Sequence, residues 1–164
     1  MNTVSGNNFE FVNFYDNLKS LKDKIVKEHK DSKIVYTYGA WDLLHPGHIR
    51  FLTRAKKLGN FLIVGVISDR QISDFKGIER PIQKQDERII TVGSLRMVDA
   101  VIHQAVYDPS IQLEQISHID ILTKGDDWDY IPGAEKIQEM GGKLVKLGYS
   151  ETYSTSKLVH KITN

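Results

Sequence analysis

The chain has 164 residues, of which 40% are hydrophobic and 26% are charged, as is typical of one soluble globular domain. A formal net charge of +1 argues against a nucleic-acid-binding protein or one held on an acidic membrane. The absence of cysteine excludes disulfides, thiolate metal sites and a cysteine nucleophile. The chain shows neither the regions of a signal peptide nor an apolar run long enough to span a membrane, so we expect a cytoplasmic protein.

The predicted elements begin with a polar, asparagine-rich arm over residues 1–12. A helix is predicted over residues 13–30, where apolar residues from Phe14 to Val26 recur at helical spacing. Strand and helix patterns then alternate. Strands are predicted at residues 33–38, 61–67, 99–103, 119–124 and 143–148, and helices at residues 47–58, 85–98, 110–117, 133–142 and 155–162. Residues 68–84 predict a polar loop after a short helical turn.

This alternation predicts an α/β fold, a Rossmann-like doubly wound parallel sheet. In such sheets ligands bind beyond the carboxyl ends of the strands, where the strand order switches direction. The segment TYGAWDLLHPGHI, residues 37–49, lies at such a strand end. His45 and His48 fall at the start of the next helix, where free N–H groups and the helix dipole suit a phosphate. An isolated histidine pair is also common in ordinary loops, and no carboxylate stands at a familiar metal-ligand spacing beside it.

Three further segments carry polar groups that suit a nucleotide or a phosphorylated substrate. FKGIERPIQKQDERI, residues 75–89, supplies cations that could converge on phosphates or form a solvated basic loop. KGDDW, residues 124–128, supplies carboxylates for ribose or polyol hydroxyls and a tryptophan for a pocket wall, or it is an acidic turn. In GYSETYSTSKLV, residues 148–159, three hydroxyls begin a predicted helix and could hold phosphates, cap the helix, or do both.

The first segment resembles the HxGH signature of the cytidylyltransferase-like nucleotidyltransferases. The match is specific because His-Pro-Gly-His follows a strand and Gly-x-x-Asp-Leu-Leu, and precedes RAKKLG and an apolar strand that ends in Ser-Asp. The resemblance covers residues 33–162 and implies an N-terminal arm and helix over residues 1–30 and an HxGH-type nucleotidyltransferase domain over residues 31–164. The HIGH element of class I aminoacyl-tRNA synthetases is also similar, but the chain is too short for such an enzyme.

The resemblance implies a role for each matching residue. Four residues are expected to be catalytic: His45, His48, Lys76 and Arg88. The expected nucleotide-binding residues are Tyr38, Gly39, Ala40, Trp41, Asp42, Gly47, Gly125, Asp126, Ser154, Thr155 and Ser156. The expected substrate-binding residues are Arg80, Asp127 and Trp128. A turn or capping role for Asp42 is equally open.

The nucleotide and the acceptor are less well defined by these motifs. TYG, DLLH, GHI and GDDW resemble glycerol-3-phosphate cytidylyltransferase, whereas KGIERPI and GAEKIQEMGG resemble heptose-1-phosphate adenylyltransferase. The last segment resembles the family element RTEGISTS, but Tyr149 replaces the arginine and Thr152 replaces the glycine. We expect transfer of CMP from CTP to a small phosphorylated polyol or sugar such as glycerol-3-phosphate. The alternatives are AMP transfer from ATP to a heptose-1-phosphate-like sugar, and a non-catalytic nucleotide-binding module.

The resemblance also implies a cofactor, the partners and a role for the product. Mg²⁺ is expected to arrive with the nucleoside triphosphate, with few protein ligands and no separate metal site. The expected partners are the small-molecule substrates and a second copy of the chain in a homodimer, with no nucleic acid and no membrane. The product would be a precursor of cell-envelope or capsule material.

Overall fold

The computed structural model describes residues 12–148 and 153–163, and it places six parallel strands of those residues in a single sheet. The strands are β1 (Phe14–Tyr15), β2 (Ile34–Gly39), β3 (Phe61–Ile67), β4 (Ala100–Gln104), β5 (Ile121–Gly125) and β6 (Lys143–Leu147). The seven residues of β3 are all buried, as expected for a central parallel strand covered on both faces.

The strand order is β1-β4-β3-β2-β5-β6. From β2 the chain adds β3 and then β4 on one side, and β5 then pairs on the opposite side of β2, with Val35 beside Ile121. The direction of strand addition therefore reverses between β2 and β5. In an open α/β sheet this reversal leaves a crevice at the carboxyl ends of those two strands.

Helices cover both faces of the sheet. They are α1 (Leu18–Glu28), α2 (Pro46–Lys56), α3 (Asp69–Lys76), α4 (Gln85–Gly93), α5 (Ser110–Ile116), α6 (Ala134–Glu139) and α7 (Thr155–Thr163). Apolar residues of α1, α3, α5 and α6 pack in one buried cluster with β2, β3 and β4, and residues of α2 and α4 pack in a second cluster with the same strands. These layers confirm the predicted doubly wound α/β fold.

Two predicted elements differ from the observed ones. Phe14 and Tyr15 were expected in the first helix but form β1, where Phe14 pairs with Val101 and its ring contacts His103. Val26, also expected on the packed face of that helix, is 58% exposed, while Leu21 and Ile25 supply the buried face of α1. The described part of residues 1–30 thus packs into the same sheet and core as the rest of the chain. The boundary at residue 30 stays a prediction, and most of the expected arm lies outside the described residues.

The segment expected to be mostly loop contains the eight-residue helix α3, which Ser68 caps by accepting a hydrogen bond from the Gln71 N–H. The helix expected over residues 85–98 ends at Gly93, with Ser94 as its C-cap. The longest helices of the described residues have 11 residues. None of these helices combines the length and the apolar character that a membrane span requires.

Candidate active site

A cavity of about 270 Å³ opens at the carboxyl ends of β2 and β5, at the reversal of strand order. It brings together thirteen of the residues expected from sequence: Tyr38, Gly39, Ala40, Trp41, Gly47, His48, Lys76, Gly125, Asp127, Trp128, Ser154, Thr155 and Ser156. Three lining residues were not expected: Phe51, Tyr107 and Lys124. Five expected residues do not line it: Asp42, His45, Arg80, Arg88 and Asp126.

The two histidines lie together at the start of α2. His45 is the N-cap, its Nδ1 accepts a hydrogen bond from the Gly47 N–H at 3.1 Å, and Pro46 follows at the first helical position. The rings of His45 and His48 are stacked, with 3.7 Å between centroids and 24° between planes. Because Nδ1 of a neutral His45 accepts, its proton is on Nε2. His48 lines the cavity, and His45 contacts the His48 ring without lining the cavity itself.

Each histidine has a buried nitrogen without a hydrogen-bond partner among the described residues, namely Nε2 of His45 and Nδ1 of His48. Burial lowers the pKa of His45. Burial, together with the neighbouring His45 and Lys76, lowers the pKa of His48 to about 3. Both rings are therefore neutral near pH 7. Unpaired buried polar groups are costly, and that of His48, which lines the cavity, indicates a place for a ligand.

The strand-to-helix loop brings Trp41 against the histidines. Trp41 is 6% exposed, its Nε1–H donates to the Gly65 carbonyl at 3.0 Å, and its ring meets His48 edge to face at 5.4 Å. A side chain on Gly39 would approach the Trp41 ring to 2.9 Å, so glycine is required there. Trp41 itself has a φ of 55°, a strained value that a functional loop can retain.

Asp42 holds the neighbouring loop instead of lining the cavity. Its buried carboxylate accepts hydrogen bonds from the N–H groups of Ile82 and Gln83, both at 3.0 Å, and from Nε of Arg80 at 3.2 Å. The structure thus gives Asp42 the turn role that was left open beside nucleotide binding, and it pairs Arg80 with Asp42; their expected contacts with nucleotide and substrate stay predictions. The Asp42 carbonyl accepts from the Thr155 hydroxyl at 2.8 Å, which links this loop to α7.

Arg88 has a different position from the expected catalytic one. Its side chain is fully buried, and its guanidinium donates to the carbonyls of Gln83, Ala40 and Ile67 and to the Asp69 carboxylate. Arg88 therefore ties α4 to the strand ends and does not line the cavity, and its expected catalytic role stays a prediction.

Lys76 and the three hydroxyl residues keep their expected place. Lys76 ends α3 at the rim of the cavity, where partial burial and Arg80 lower the pKa of its ammonium group. Ser154 accepts a hydrogen bond from the Lys157 N–H at 3.2 Å, so it caps α7 while also lining the cavity. Tyr149, Glu151 and Thr152, on which the comparison with RTEGISTS also depends, lie outside the described residues.

The segment after β5 is divided between the cavity and the surface. Gly125, Asp127 and Trp128 line the cavity, and the Trp128 ring lies 5.6 Å from that of Tyr107. Asp126 was expected to bind the nucleotide, but it does not line the cavity, its side chain is exposed, and its backbone N–H donates to the Leu147 carbonyl. Of the two adjacent carboxylates, only Asp127 lines the cavity.

Lys124 is the residue that sequence reasoning missed. It is 6% exposed on β5, and its Nζ donates to the Tyr38 carbonyl at 2.9 Å. The ammonium lies 4.2 Å from the centre of the Tyr38 ring and 4.7 Å from that of Trp128. Burial lowers its pKa to about 7, Lys76 contributes in the same direction, and Asp127 opposes both. A lysine at the end of an otherwise apolar strand was the available signal.

The described residues contain no group of three histidines and carboxylates that could hold a metal ion. Asp127 is the carboxylate that the described residues supply to the cavity. One carboxylate beside phosphates suits Mg²⁺, which usually keeps several waters and takes few protein ligands.

Comparisons with known proteins show the family of the chain. A family profile described as Cytidylyltransferase-like matches residues 36–161. The bifunctional protein HldE of Gluconobacter oxydans is 40% identical over 132 residues, which cover 78% of this chain and 27% of that protein. HldE of Campylobacter jejuni subsp. doylei is 36% identical over 159 residues, which cover 94% and 33%. The chain thus spans about a third of the length of these relatives.

Two solved structures share the fold. The lipopolysaccharide core biosynthesis protein of Thermoplasma volcanium superposes with a TM-score of 0.64 at 29% identity, covering 73% of this chain and 99% of that one. Pantoate-beta-alanine ligase of Francisella tularensis, crystallised with Beta-gamma ATP and beta-alanine, has a TM-score of 0.56 at 17% identity and covers 86% and 68%. The second likeness concerns the fold alone.

Proposed function

We propose that this chain, which belongs to the cytidylyltransferase-like family of nucleotidyltransferases, moves AMP from ATP onto the phosphate of a phosphorylated sugar. The observation that carries the reaction type is the pair of stacked, neutral histidines at the start of α2, each with an unpaired buried nitrogen. Such donors stabilise negative charge that develops on a phosphoryl group.

Three observations favour ATP and a sugar phosphate over the CTP-dependent reaction expected first. The loop KGIERPI resembles the heptose-1-phosphate adenylyltransferase branch, and the likeness to the relatives named HldE extends to 159 residues. A solved relative at 29% identity is titled a lipopolysaccharide core biosynthesis protein, which favours a sugar acceptor and a role in cell-envelope precursor synthesis. We therefore place the adenylyltransferase first and the cytidylyltransferase second.

In the proposed reaction, an oxygen of the acceptor phosphate attacks the α-phosphorus in line. A new P–O bond joins the sugar phosphate to AMP, the bond between the α-phosphorus and the bridging oxygen breaks, and pyrophosphate leaves with that oxygen. The attacking oxygen is already anionic near pH 7, so no proton has to be removed. Catalysis then consists of positioning and charge stabilisation.

The residues of this chain divide that work. His48, supported by the stacked His45, donates to the α-phosphoryl oxygens and the α/β bridge. Lys76 at the rim offsets charge on the incoming phosphate and on the leaving group. The Ser154 hydroxyl and the backbone N–H groups at the start of α7 hold the pyrophosphate end, while the Thr155 hydroxyl fixes this helix start to the Asp42 carbonyl.

Other residues have supporting roles in this proposal. Arg88 and Asp42 act indirectly, by fixing the loops that carry the histidines. Mg²⁺ bound to the triphosphate would supply further charge neutralisation, with Asp127 as the residue placed to contact its waters. A homodimer and a cytoplasmic location remain part of the proposal, and light scattering on the purified chain tests the first.

The proposal is tested by incubating the chain with each of ATP, CTP, GTP and UTP and measuring pyrophosphate release. The acceptor panel contains heptose and hexose 1-phosphates and glycerol-3-phosphate. We expect turnover with ATP and a sugar 1-phosphate. Turnover with CTP and glycerol-3-phosphate alone would overturn the proposal and establish the second candidate. That candidate is favoured by Asp127 and Trp128, which line the cavity and belong to the segment GDDW that resembles glycerol-3-phosphate cytidylyltransferase.

A non-catalytic nucleotide-binding module is the remaining candidate. Calorimetric binding of a nucleotide, without pyrophosphate release for any acceptor in the panel, would favour it over both enzymes. Retention of His45, His48, Lys76 and the Ser-Thr-Ser segment argues against it, because a chain without catalytic function would be free to lose some of them.

A further inference from the structure

The ammonium group of Lys124 has no role in the reaction described so far. It lies at the floor of the cavity, 6% exposed, and donates one hydrogen bond, to the Tyr38 carbonyl. The rings of Tyr38 and Trp128 flank it at 4.2 and 4.7 Å. An ammonium has three N–H donors, and a buried one is costly unless those donors find partners.

The charges around Lys124 favour the binding of an anion. Lys76, on the rim of the same cavity, is close enough to lower the pKa of Lys124, and Asp127 is the carboxylate that opposes it. The other titratable groups of the lining, His48 and the phenols of Tyr38 and Tyr107, are neutral near pH 7 because burial shifts their pKa values away from it. An anion between the two lysines would relieve their mutual repulsion.

The walls of this end of the cavity suit a sugar. The rings of Tyr38, Tyr107 and Trp128 form a connected aromatic surface, with centroid separations of 6.3 Å and 5.6 Å. Such rings present an apolar face to the C–H groups of a sugar, together with polar edges for its hydroxyls. The helix N-termini, by contrast, offer N–H groups and hydroxyls, the donors that a triphosphate chain requires.

We infer that Lys124 and Lys76 clamp the phosphate of the acceptor, a sugar phosphomonoester whose ring packs on Trp128 and Tyr107. This inference rests on the proposed function and adds the binding site of the second substrate. Lys124 is then a specificity residue, since it selects an acceptor that carries a phosphate close to its sugar ring. The unphosphorylated sugar would lack the group that the buried ammonium needs.

One consequence can be measured without turnover. Because burial lowers the pKa of Lys124 to about 7, a large fraction of this group is deprotonated at pH 8 before the acceptor binds. A phosphate dianion beside it favours the charged form and raises that pKa, so binding of the acceptor should take up protons. Calorimetry of binding at pH 8, in buffers of different ionisation enthalpy, measures that uptake.

The decisive variant is Lys124→Met, which keeps the length of the side chain and removes its charge. The Lys124 ammonium is buried against two aromatic rings and makes one hydrogen bond, and methionine fills a similar volume with no charge to desolvate, so we expect an unchanged or higher melting temperature. We expect the KM of the sugar phosphate to rise about 10- to 100-fold, as for loss of a charge-assisted hydrogen bond, and the KM of ATP to stay within about twofold. The exposed Lys143→Met, at the far end of β6, is the matched control and should change neither.

The outcomes separate this inference from the proposed function. A larger rise in the KM of ATP than in that of the acceptor would overturn it, as would unchanged values for both or a wild-type acceptor titration without proton uptake. If no pair of substrates turns over, yet the wild type binds a sugar 1-phosphate with proton uptake and Lys124→Met does not, the proposed function fails and the binding site stands.

Discussion

Replacement of Arg88 by methionine should lower stability far more than it lowers the rate per folded molecule. The substitution keeps an unbranched side chain in the buried space and removes the guanidinium. That group donates to three backbone carbonyls and to the Asp69 carboxylate. Ile67 is buried, so its carbonyl is shut off from water, whereas Ala40 and Gln83 are partly accessible and the Asp69 side chain is 46% exposed.

The expected loss follows from this distribution. The Ile67 carbonyl loses a partner that water cannot replace, at about 1–3 kcal/mol, and the two partly accessible carbonyls add smaller amounts. Asp69 is resolvated at little cost. The total is about 2–5 kcal/mol. With a denaturant slope of about 2 kcal/mol per molar urea, the midpoint should fall by about 2 M.

The assay is urea unfolding, followed by the fluorescence of Trp41 and Trp128, with initial rates measured on the folded fraction. Arg70→Met, at an exposed position on α3 next to Asp69, is the control and should shift the free energy of unfolding by no more than about 0.5 kcal/mol. An Arg88→Met protein with an unchanged midpoint and a rate about 10²-fold lower would refute the reasoning. It would return Arg88 to direct contact with the transferred phosphate.

Three further predictions concern the cavity. His48→Ala should fold normally and lose about 10²–10³ in kcat, as for one transition-state donor, and near-normal kcat would contradict the mechanism. Gly47→Ala should lower kcat by up to about 10², because the new Cβ would lie 2.9 Å from the His45 ring and displace it; an intact rate would show that this stacking is dispensable. Lys124 has a lowered folded pKa, so the unfolded chain binds more protons above pH 7 and wild-type stability should rise with pH from 7 toward 10. The difference in free energy of unfolding by which Lys124→Met exceeds the wild type, measured from urea midpoints, should therefore decrease between pH 7 and pH 9. A difference that stays constant with pH would contradict the burial of a charged lysine.

The sheet and the histidine site could be predicted because their signals are local. Apolar runs such as FLIVGVI indicate buried parallel strands without knowledge of their neighbours. His45, Pro46 and Gly47 specify the start of α2 through capping and backbone geometry within a few residues. The carboxyl ends of parallel strands then meet at one edge, which brought most of the expected residues into one cavity.

The errors concern contacts between residues far apart in the chain. β1 exists because Phe14 pairs with Val101, and nothing near Phe14 distinguishes that strand from the start of a helix. The direction in which the Arg88 side chain points depends on carbonyls at Ala40 and Ile67, so a local pattern of cations could not separate it from Lys76. Lys124 was missed because a lysine at a strand end is usually solvated, and its burial depends on Tyr38 and Trp128.

The central claim, that the chain transfers a nucleotidyl group and not a terminal phosphoryl group, is tested most directly by following two labels. ATP labelled at the α-phosphorus and ATP labelled at the γ-phosphorus are each incubated with the sugar phosphate that supports turnover. The account predicts that the α-label appears in the nucleotide-sugar product and the γ-label in pyrophosphate. A γ-label recovered in the sugar product, with ADP released, would contradict it.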